Sequence, residues 1–220
     1  MHGSEALPLF PLANVVLFPG VQTPLHIFEP RYRQMTEHAL AGSRLIGMVA
    51  VRPEHVESIS GDPPVYEVGC AGRITDAKRM PDGRFNLLLQ GMQRFRILRE
   101  RPPDGVRLYR IAETKPLEDA FDTATRPRVL ALRHRAIELV AEIASGDGSG
   151  PPLTPDQFRD VDDVTFVNAL SHAFTFASSE KQSLLEAASI PERYERLISI
   201  LGFQAVERSH LASSSSDAIH

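Results

Sequence analysis

The first 120 residues carry short apolar runs that proline and glycine repeatedly interrupt, a pattern typical of β-strands. One segment differs, because Tyr32, Met35 and Ala39 recur at helical spacing after Pro30 and predict a helix that ends by residue 42. The predicted strands cover residues 7–10, 15–18, 45–51, 65–75, 85–90, 94–99 and 106–114. Six or seven short strands around one helix predict a closed or half-closed barrel.

After the first 120 residues the apolar spacing changes to the 3.6-residue period of amphipathic helices. A long helix is predicted first, followed by a second one that Asp162 or Asp163 can cap. A third helix is predicted to open with a capping box of Ser179 and Gln182, and a fourth begins at Pro191. This half of the chain therefore predicts a small helical bundle.

These patterns divide the chain into three parts. We predict a β-barrel over residues 1–119, a helical bundle over 120–208, and a disordered tail over 209–220, where the residues are mostly small and polar. The predicted fold class is α+β, with a β-barrel interrupted by one helix and followed by a bundle.

Composition narrows the class of protein. The 220 residues include 24 Lys and Arg against 28 Asp and Glu, so a net charge of −4 does not predict a nucleic-acid or polybasic membrane binder. A single cysteine, Cys70, cannot form an internal disulfide and fits a reducing compartment. Four prolines interrupt the apolar stretch 6–28, and residues 1–5 lack the basic residues of a secretory signal. We therefore expect no membrane span and a cytoplasmic location.

Several kinds of chemistry are excluded or disfavoured by the residues. A phosphate-binding P-loop needs a lysine after glycine, and none of Lys78, Lys115 and Lys181 follows one. The eight histidines form no i,i+4 pair, and one cysteine excludes a Cys-x-x-Cys site, so we expect no metal and no cofactor. Cys70 is either a reactive thiol or a small buried strand residue, and burial is favoured. No catalytic residue is predicted.

Two surfaces are candidates for binding. Phe18, Pro19, Pro24, Phe28 and Tyr32 would make a rigid apolar surface that is either core or part of a groove for extended peptides. For any one of these residues a purely structural role is favoured.

The second candidate is a basic hairpin region that includes Arg84, Arg94 and Arg96. With neighbouring aromatic residues it resembles an RNA-binding face. The interspersed acidic residues favour a solvated sheet edge instead, so RNA is the less favoured partner.

An ordered set of motifs resembles the N-terminal domain of Lon proteases. The set comprises LPLFPLANVVLFPG at 7–20, PLHIFEPRYRQM at 24–35, GMV at 47–49, VGCAGRI at 68–74, PDGR at 81–84, GMQRFRI at 91–97 and EKQSLLE at 180–186. The resemblance runs from about residue 7 to 205 and implies a PUA-like β pseudo-barrel followed by a helical bundle.

The resemblance also implies a function. In Lon proteases this domain recognises unfolded or tagged proteins, whereas the ATPase and Ser-Lys peptidase domains do not match any segment here. We therefore expect a stand-alone, non-enzymatic protein-binding module. An RNA-binding module is the alternative, and a small hydrolase that uses Cys70 or another site is the least favoured one. The expected partners are unfolded or tagged proteins, and association with a protease, a chaperone or a second copy of the chain stays open.

Overall fold

The computed structural model describes residues 6–58, 61–145, 158 and 160–217, and the chain divides into two compact units. The barrel unit comprises Met1–Glu118 and His172–Leu185, and the helical unit comprises Asp119–Ser171 and Glu186–His220. The first boundary lies within one residue of the predicted one, but residues 172–185, which the sequence assigns to the bundle at 120–208, are part of the barrel unit. Periodicity shows that a segment is amphipathic but not which surface its apolar side covers.

The barrel unit is built on a six-stranded mixed sheet in the described residues. The strands are β1 (Leu7–Leu12), β2 (Gln22–Ile27), β3 (Leu45–Ala50), β4 (Val68–Arg79), β5 (Phe85–Arg101) and β6 (Ile111–Leu117). Strands β1, β3, β4, β5 and β6 form a closed ring, because β6 pairs with both β1 and β5. Among the described strands only β1 and β3 pair in parallel, and β2 lies outside the ring along β5. The predicted barrel is confirmed.

Strand β5 is longer than the sequence predicts. The two predicted strands at 85–90 and 94–99 are one strand of 17 residues, which continues through Gly91. Its first part pairs with β2 and its last part with β6, while β4 runs along the other side. Register shifts in β4 and β5 bend the long strand enough to serve two neighbours.

The barrel core is closely packed and apolar. Its fully or almost fully buried side chains include Leu9, Ile46, Met48, Cys70, Ile74 and Leu89. The Cys70 thiol lies in β4 away from solvent, where a substrate cannot reach it, so this residue fills space in the core.

The predicted strand at 15–18 is wrong. Val16, Leu17 and Phe18 are buried, but the segment has no regular secondary structure. A short apolar run can be buried in a core whether or not its backbone pairs with a neighbouring strand. The apolar pattern alone therefore predicts a strand here that does not form.

The helices of the described residues fit the predicted periodicity. They are α1 (Pro30–Ala41), α2 (Arg126–Ser145), α3 (Asp163–Ala173), α4 (Ser178–Glu186) and α5 (Ile190–Asp217), with a short 3₁₀ helix at Pro53–Ser58. Asp162 is the cap of α3, since its carboxylate accepts hydrogen bonds from the backbone N–H groups of Val164 and Thr165. None of the helices within these ranges is long and apolar enough to cross a membrane.

Helix α5 continues beyond the predicted start of the tail. It extends to Asp217, whereas the sequence places a disordered segment at 209–220. The last three residues of that predicted tail lie outside the described residues.

The predicted capping box of α4 is wrong. Glu180, rather than Gln182, supplies the capping carboxylate, which accepts a hydrogen bond of 2.8 Å from the backbone N–H of Ala177. Gln182 is buried, and its amide donates to the carbonyl oxygen of Val68 at 3.0 Å. This side chain therefore connects α4 to the start of β4 within the barrel unit.

Candidate polypeptide-binding surface

A tight turn sets the position of β2. Pro19 and Gly20 occupy the middle of the turn, and the N–H of Val21 donates to the carbonyl oxygen of Phe18 at 3.2 Å. Gly20 has a φ of 82°, which the third position of a type II turn requires and which glycine adopts without strain. Pro19, half-buried, fixes the preceding φ, so its role here is to shape the turn.

The same turn forms a β-bulge against β5. Gly20 donates to the carbonyl oxygen of Gly91 at 2.9 Å, and Gly91 donates to the carbonyl oxygen of Val21 at 2.8 Å. Gly20 and Val21 therefore lie opposite the single residue Gly91, which is the arrangement of a glycine β-bulge. Position 91 has no room for a side chain, because a Cβ there would lie 2.0 Å from the Phe18 oxygen.

The bulge determines which backbone groups of β2 face outward. The backbone N–H and carbonyl oxygen of Gly91 both point towards β2. Backbone groups of an antiparallel strand point alternately to its two neighbours, so Thr23, Leu25 and Ile27 form the backbone hydrogen bonds with β5. The backbone groups of the intervening residues Gln22, Pro24 and His26 then point to the outer edge. In the described part of the chain no strand pairs with this edge.

The side chains of β2 divide in the same way. Thr23 and Ile27 are buried and Leu25 is half-buried, whereas Gln22, Pro24 and His26 are exposed. Because Phe28 continues the alternation, it lies on the exposed face, where 60% of its surface is accessible.

Two contacts order this exposed face. The His26 ring stacks near Phe28 with ring centroids 6.2 Å apart, and His26 Nδ1 lies 2.7 Å from the side-chain oxygen of Asn86 on β5. We call Pro24, His26 and Phe28 together the β2 face. It is an apolar and aromatic strip on a regular strand, beside an unpaired backbone edge.

The structure separates the predicted apolar surface into core and surface residues. Phe18 is fully buried, and Tyr32 is buried against Phe10 with ring centroids 4.6 Å apart, so neither can contact a partner. Burial raises the pKa of the Tyr32 hydroxyl to about 12, which keeps it neutral. Pro24 and Phe28 remain accessible and lie on one face.

The chain after Phe28 is held firmly by charged groups. Arg31 forms an ion pair of 2.9 Å with Glu29, donates to the carbonyl oxygen of Gly61, and lies 4.5 Å above the Tyr32 ring. Pro30 opens α1 directly afterwards. Phe28 is therefore displayed from a rigid junction between a strand and a helix.

The sequence missed the most exposed of the large apolar side chains described in the barrel unit. Val106 is 84% exposed in the loop before β6, and the Asp104 carboxylate accepts from the N–H groups of Val106 and Arg107. The Gln34 amide of α1 binds both sides of the loop, at the Val106 oxygen and the Leu108 N–H, each at 2.8 Å. Pro102, Pro103, Asp104 and Gly105 signal a loop here, whereas the contact with Gln34 has no local signal because Gln34 lies more than 70 positions earlier.

The three arginines of the predicted RNA-binding face are not available as one surface. Arg94 is only 2% exposed and donates to the carbonyl oxygen of Leu185 at 2.7 Å, so its expected outward orientation is wrong. Arg96 pairs with Glu67 at 3.1 Å. The guanidinium of Arg84 binds the Asp82 carboxylate at 2.5 Å and lowers the pKa of that carboxyl.

The helical unit contains a pocket of about 400 Å³ whose lining combines apolar residues with charged ones. Its carboxylates already have partners within the unit: Asp122 accepts from Thr125, Glu192 from the N–H of Ala188, and Glu195 pairs with Arg128. Within the described ranges no group of three or more His, Cys, Asp or Glu residues is arranged to hold a metal ion. The β2 face is therefore the better candidate for binding.

Comparison with known proteins identifies the domain. The family model described as the ATP-dependent protease La (LON) substrate-binding domain matches residues 6–202. Lon proteases from Parabacteroides distasonis and Flavobacterium johnsoniae are 30% and 29% identical over 92% and 86% of this chain. The matched regions are 24% and 23% of those proteins, so the chain spans about a quarter of the length of these curated relatives.

Two solved structures share the fold. A Lon N-terminal domain protein from Xanthomonas campestris superposes with a TM-score of 0.57 at 24% identity, covering 89% of this chain and 98% of that one. The N-terminal domain of the Mycobacterium avium complex Lon protease gives a TM-score of 0.63 at 18% identity, with coverage of 90% and 98%. By its sequence match over most of its length, the chain belongs to the LON substrate-binding domain family.

Proposed function

We propose that this chain is a non-enzymatic module that binds unfolded or exposed polypeptide segments through the β2 face. The observation that carries the proposal is the 60% exposure of Phe28 on a rigid strand–helix junction, next to Pro24 and His26. Large exposed aromatic side chains on ordered elements are typical of protein-binding surfaces. Membership of the LON substrate-binding domain family supports polypeptide as the ligand class.

The size of the effect at Phe28 follows from its apolar area. Burying a phenylalanine side chain against a partner contributes about 1.5–3 kcal/mol, which corresponds to roughly a tenfold to hundredfold change in affinity. Because the side chain is largely exposed in the free protein, its removal should leave the free energy of unfolding within about 0.5 kcal/mol.

The test measures binding of a reduced and carboxymethylated, permanently unfolded protein by fluorescence anisotropy. We expect Phe28→Ser to weaken binding at least tenfold. Val106→Ser, which removes an even more exposed apolar side chain from the loop before β6, should leave binding unchanged. Binding no stronger than to an inert protein of similar charge would overturn the function. Loss of binding in Val106→Ser but not in Phe28→Ser would move the site to the 102–110 loop.

The relatives contain this domain within proteases, which supports delivery of the bound segment to a proteolytic or chaperone partner as its role. Such delivery predicts that the chain accelerates degradation of an unfolded client when the partner is present. The Phe28→Ser variant should lose this acceleration in proportion to its loss of client affinity.

A further inference from the structure

We propose that a bound segment adds to the outer edge of β2 as an additional β-strand. This inference rests on the proposed function and specifies how the β2 face recognises its ligand. It defines the substrate class as segments in an extended conformation with free backbone N–H groups, and it excludes helical and proline-rich segments.

The backbone of β2 provides the groups that such a strand requires. Gln22 and His26 each present an N–H and a carbonyl oxygen to the outer edge, and Pro24 presents a carbonyl oxygen. These five groups lie on a strand whose inner edge is fixed by six register pairs with β5. An extended segment can satisfy them through its own main chain, so most of the recognition is independent of its sequence.

Pro24 argues against a second copy of this chain as the occupant. It has no N–H, so an added strand forms one hydrogen bond fewer opposite it. A two-fold pairing of β2 with β2 contains two Pro24 residues and loses two hydrogen bonds, whereas a foreign strand loses one. The edge is therefore poorly matched to itself but open to a segment of another polypeptide.

The side chains of the β2 face define the remaining specificity. Residues directly opposite each other in an antiparallel pair project to the same side of the sheet, so alternate side chains of the added strand lie beside Pro24, His26 and Phe28. These neighbours are apolar or aromatic. They favour segments with aliphatic or aromatic residues at every second position, which folded proteins bury and unfolded proteins expose.

The test uses backbone methylation of the ligand and leaves the protein unchanged. The probe is an end-capped peptide with a lysine at each end, in which valine and threonine alternate around one central phenylalanine that takes a valine position. One version is N-methylated at its valine and phenylalanine amides, and the other at its threonine amides. Each removes the N–H groups along one edge of the extended peptide.

We expect a loss of affinity of at least tenfold in one methylated version and less than threefold in the other. Loss at the valine and phenylalanine amides indicates antiparallel addition, and loss at the threonine amides indicates parallel addition. Equal effects of both versions would overturn strand addition. If the unfolded protein still binds in that case and its binding depends on Phe28, the proposed function stands without strand addition. If neither the unfolded protein nor the peptide binds, both the proposed function and strand addition are wrong.

A second measurement reads the protein side directly. Amide hydrogen exchange of Gln22 and His26 should slow at least tenfold when the unmodified peptide is bound, while Thr23 and Leu25, already bonded to β5, should not change. Unchanged exchange at Gln22 and His26 under saturating peptide contradicts the proposal. Protection that rises with protein concentration in the absence of peptide would identify a second copy as the occupant and overturn it.

Discussion

The guanidinium of Arg94 on β5 donates to the main-chain carbonyl oxygen of Leu185 in α4 at 2.7 Å, across 91 positions of sequence. Leu185 lies in the last turn of its helix, where carbonyl oxygens lack partners within the helix. An arginine at this place satisfies the carbonyl and opposes the negative end of the helix dipole. The buried cation is therefore part of the reason that residues 172–185 belong to the barrel unit.

Replacement of Arg94 should destabilise the protein. We expect Arg94→Ala to lower the free energy of unfolding by roughly 2–4 kcal/mol, because it leaves a buried carbonyl unsatisfied and removes a packed side chain. Arg96→Ala is the matched control on the same strand, since the exposed pair with Glu67 contributes about 0–1 kcal/mol. Urea denaturation measures both, and equal effects of the two variants would contradict the structural role of Arg94.

The difference between Arg94 and Arg96 shows what local sequence can and cannot predict. The barrel, α1 and the order of the later helices follow from periodicity and turn residues, which act over a few positions. The burial of Arg94 depends on a carbonyl 91 positions away, and that of Gln182 on one 114 positions away, so neither has a local signal. Strand β2 was missed because a proline and polar residues on its exposed face conceal the alternation.

Candidate site residues follow the same rule. Pro24 and Phe28 were predicted as part of an apolar surface, but the same pattern also selected Phe18 and Tyr32. A proline-rich apolar segment indicates rigid packing without indicating which side faces the core. That distinction requires the pairing of β2 with β5, which places alternate residues on opposite faces.

The close approach at Gly91 gives a second stability prediction. Gly91→Ala should destabilise the protein by more than about 2 kcal/mol, because the added methyl group overlaps the Phe18 carbonyl and the turn must move. Gly202→Ala in α5 is the control, since its added methyl group meets no atom within 4 Å. We expect it to stabilise the protein by about 0.5–1 kcal/mol through helix propensity.

Thermal and urea denaturation of the two glycine variants should therefore give opposite signs. Gly91→Ala should also weaken client binding, because the turn that it displaces sets the position of β2. If Gly91→Ala is as stable as the unmodified protein, the turn can move away from β5 without a loss in the free energy of unfolding.

His172 predicts a dependence of stability on pH. Burial lowers the pKa of its imidazole below the ordinary value of 6.5, the Lys181 ammonium acts in the same direction, and the Val16 backbone acts against them. The unfolded chain therefore binds a proton more readily than the folded one. The free energy of unfolding is therefore not reduced by His172 above pH 6.5. It decreases as the pH falls from 6.5 through the lowered pKa of the folded state, because protonation then favours the unfolded chain.

Urea denaturation at pH 7.5, 6.5 and 5.5 tests this dependence. We expect His172→Gln to reduce the loss of unfolding free energy between pH 7.5 and 5.5. His134→Gln, on the exposed side of α2, is the control for removing a histidine. Parallel pH profiles for the unmodified protein and His172→Gln would assign the dependence to other groups.

Arg193 is the corresponding buried cation of the helical unit. It is 0% exposed, its two terminal nitrogens donate to the Asp119 carboxylate at 3.1 and 2.8 Å, and one of them also donates to the Asn168 side-chain oxygen at 2.6 Å. A buried pair of this geometry is strongly destabilised when one partner is removed, because the remaining charge stays in a low-dielectric environment.

We therefore expect Asp119→Ala to lower the free energy of unfolding by roughly 3–5 kcal/mol. Glu138→Ala removes a carboxylate from the exposed pair with Arg135 and should leave the free energy of unfolding nearly unchanged. The double variant Asp119→Leu with Arg193→Met should recover much of the loss, since apolar replacement of both partners removes the stranded charge. If the double variant is as unstable as Asp119→Ala, the charge is not what destabilises the single variant, and the network contributes by packing alone.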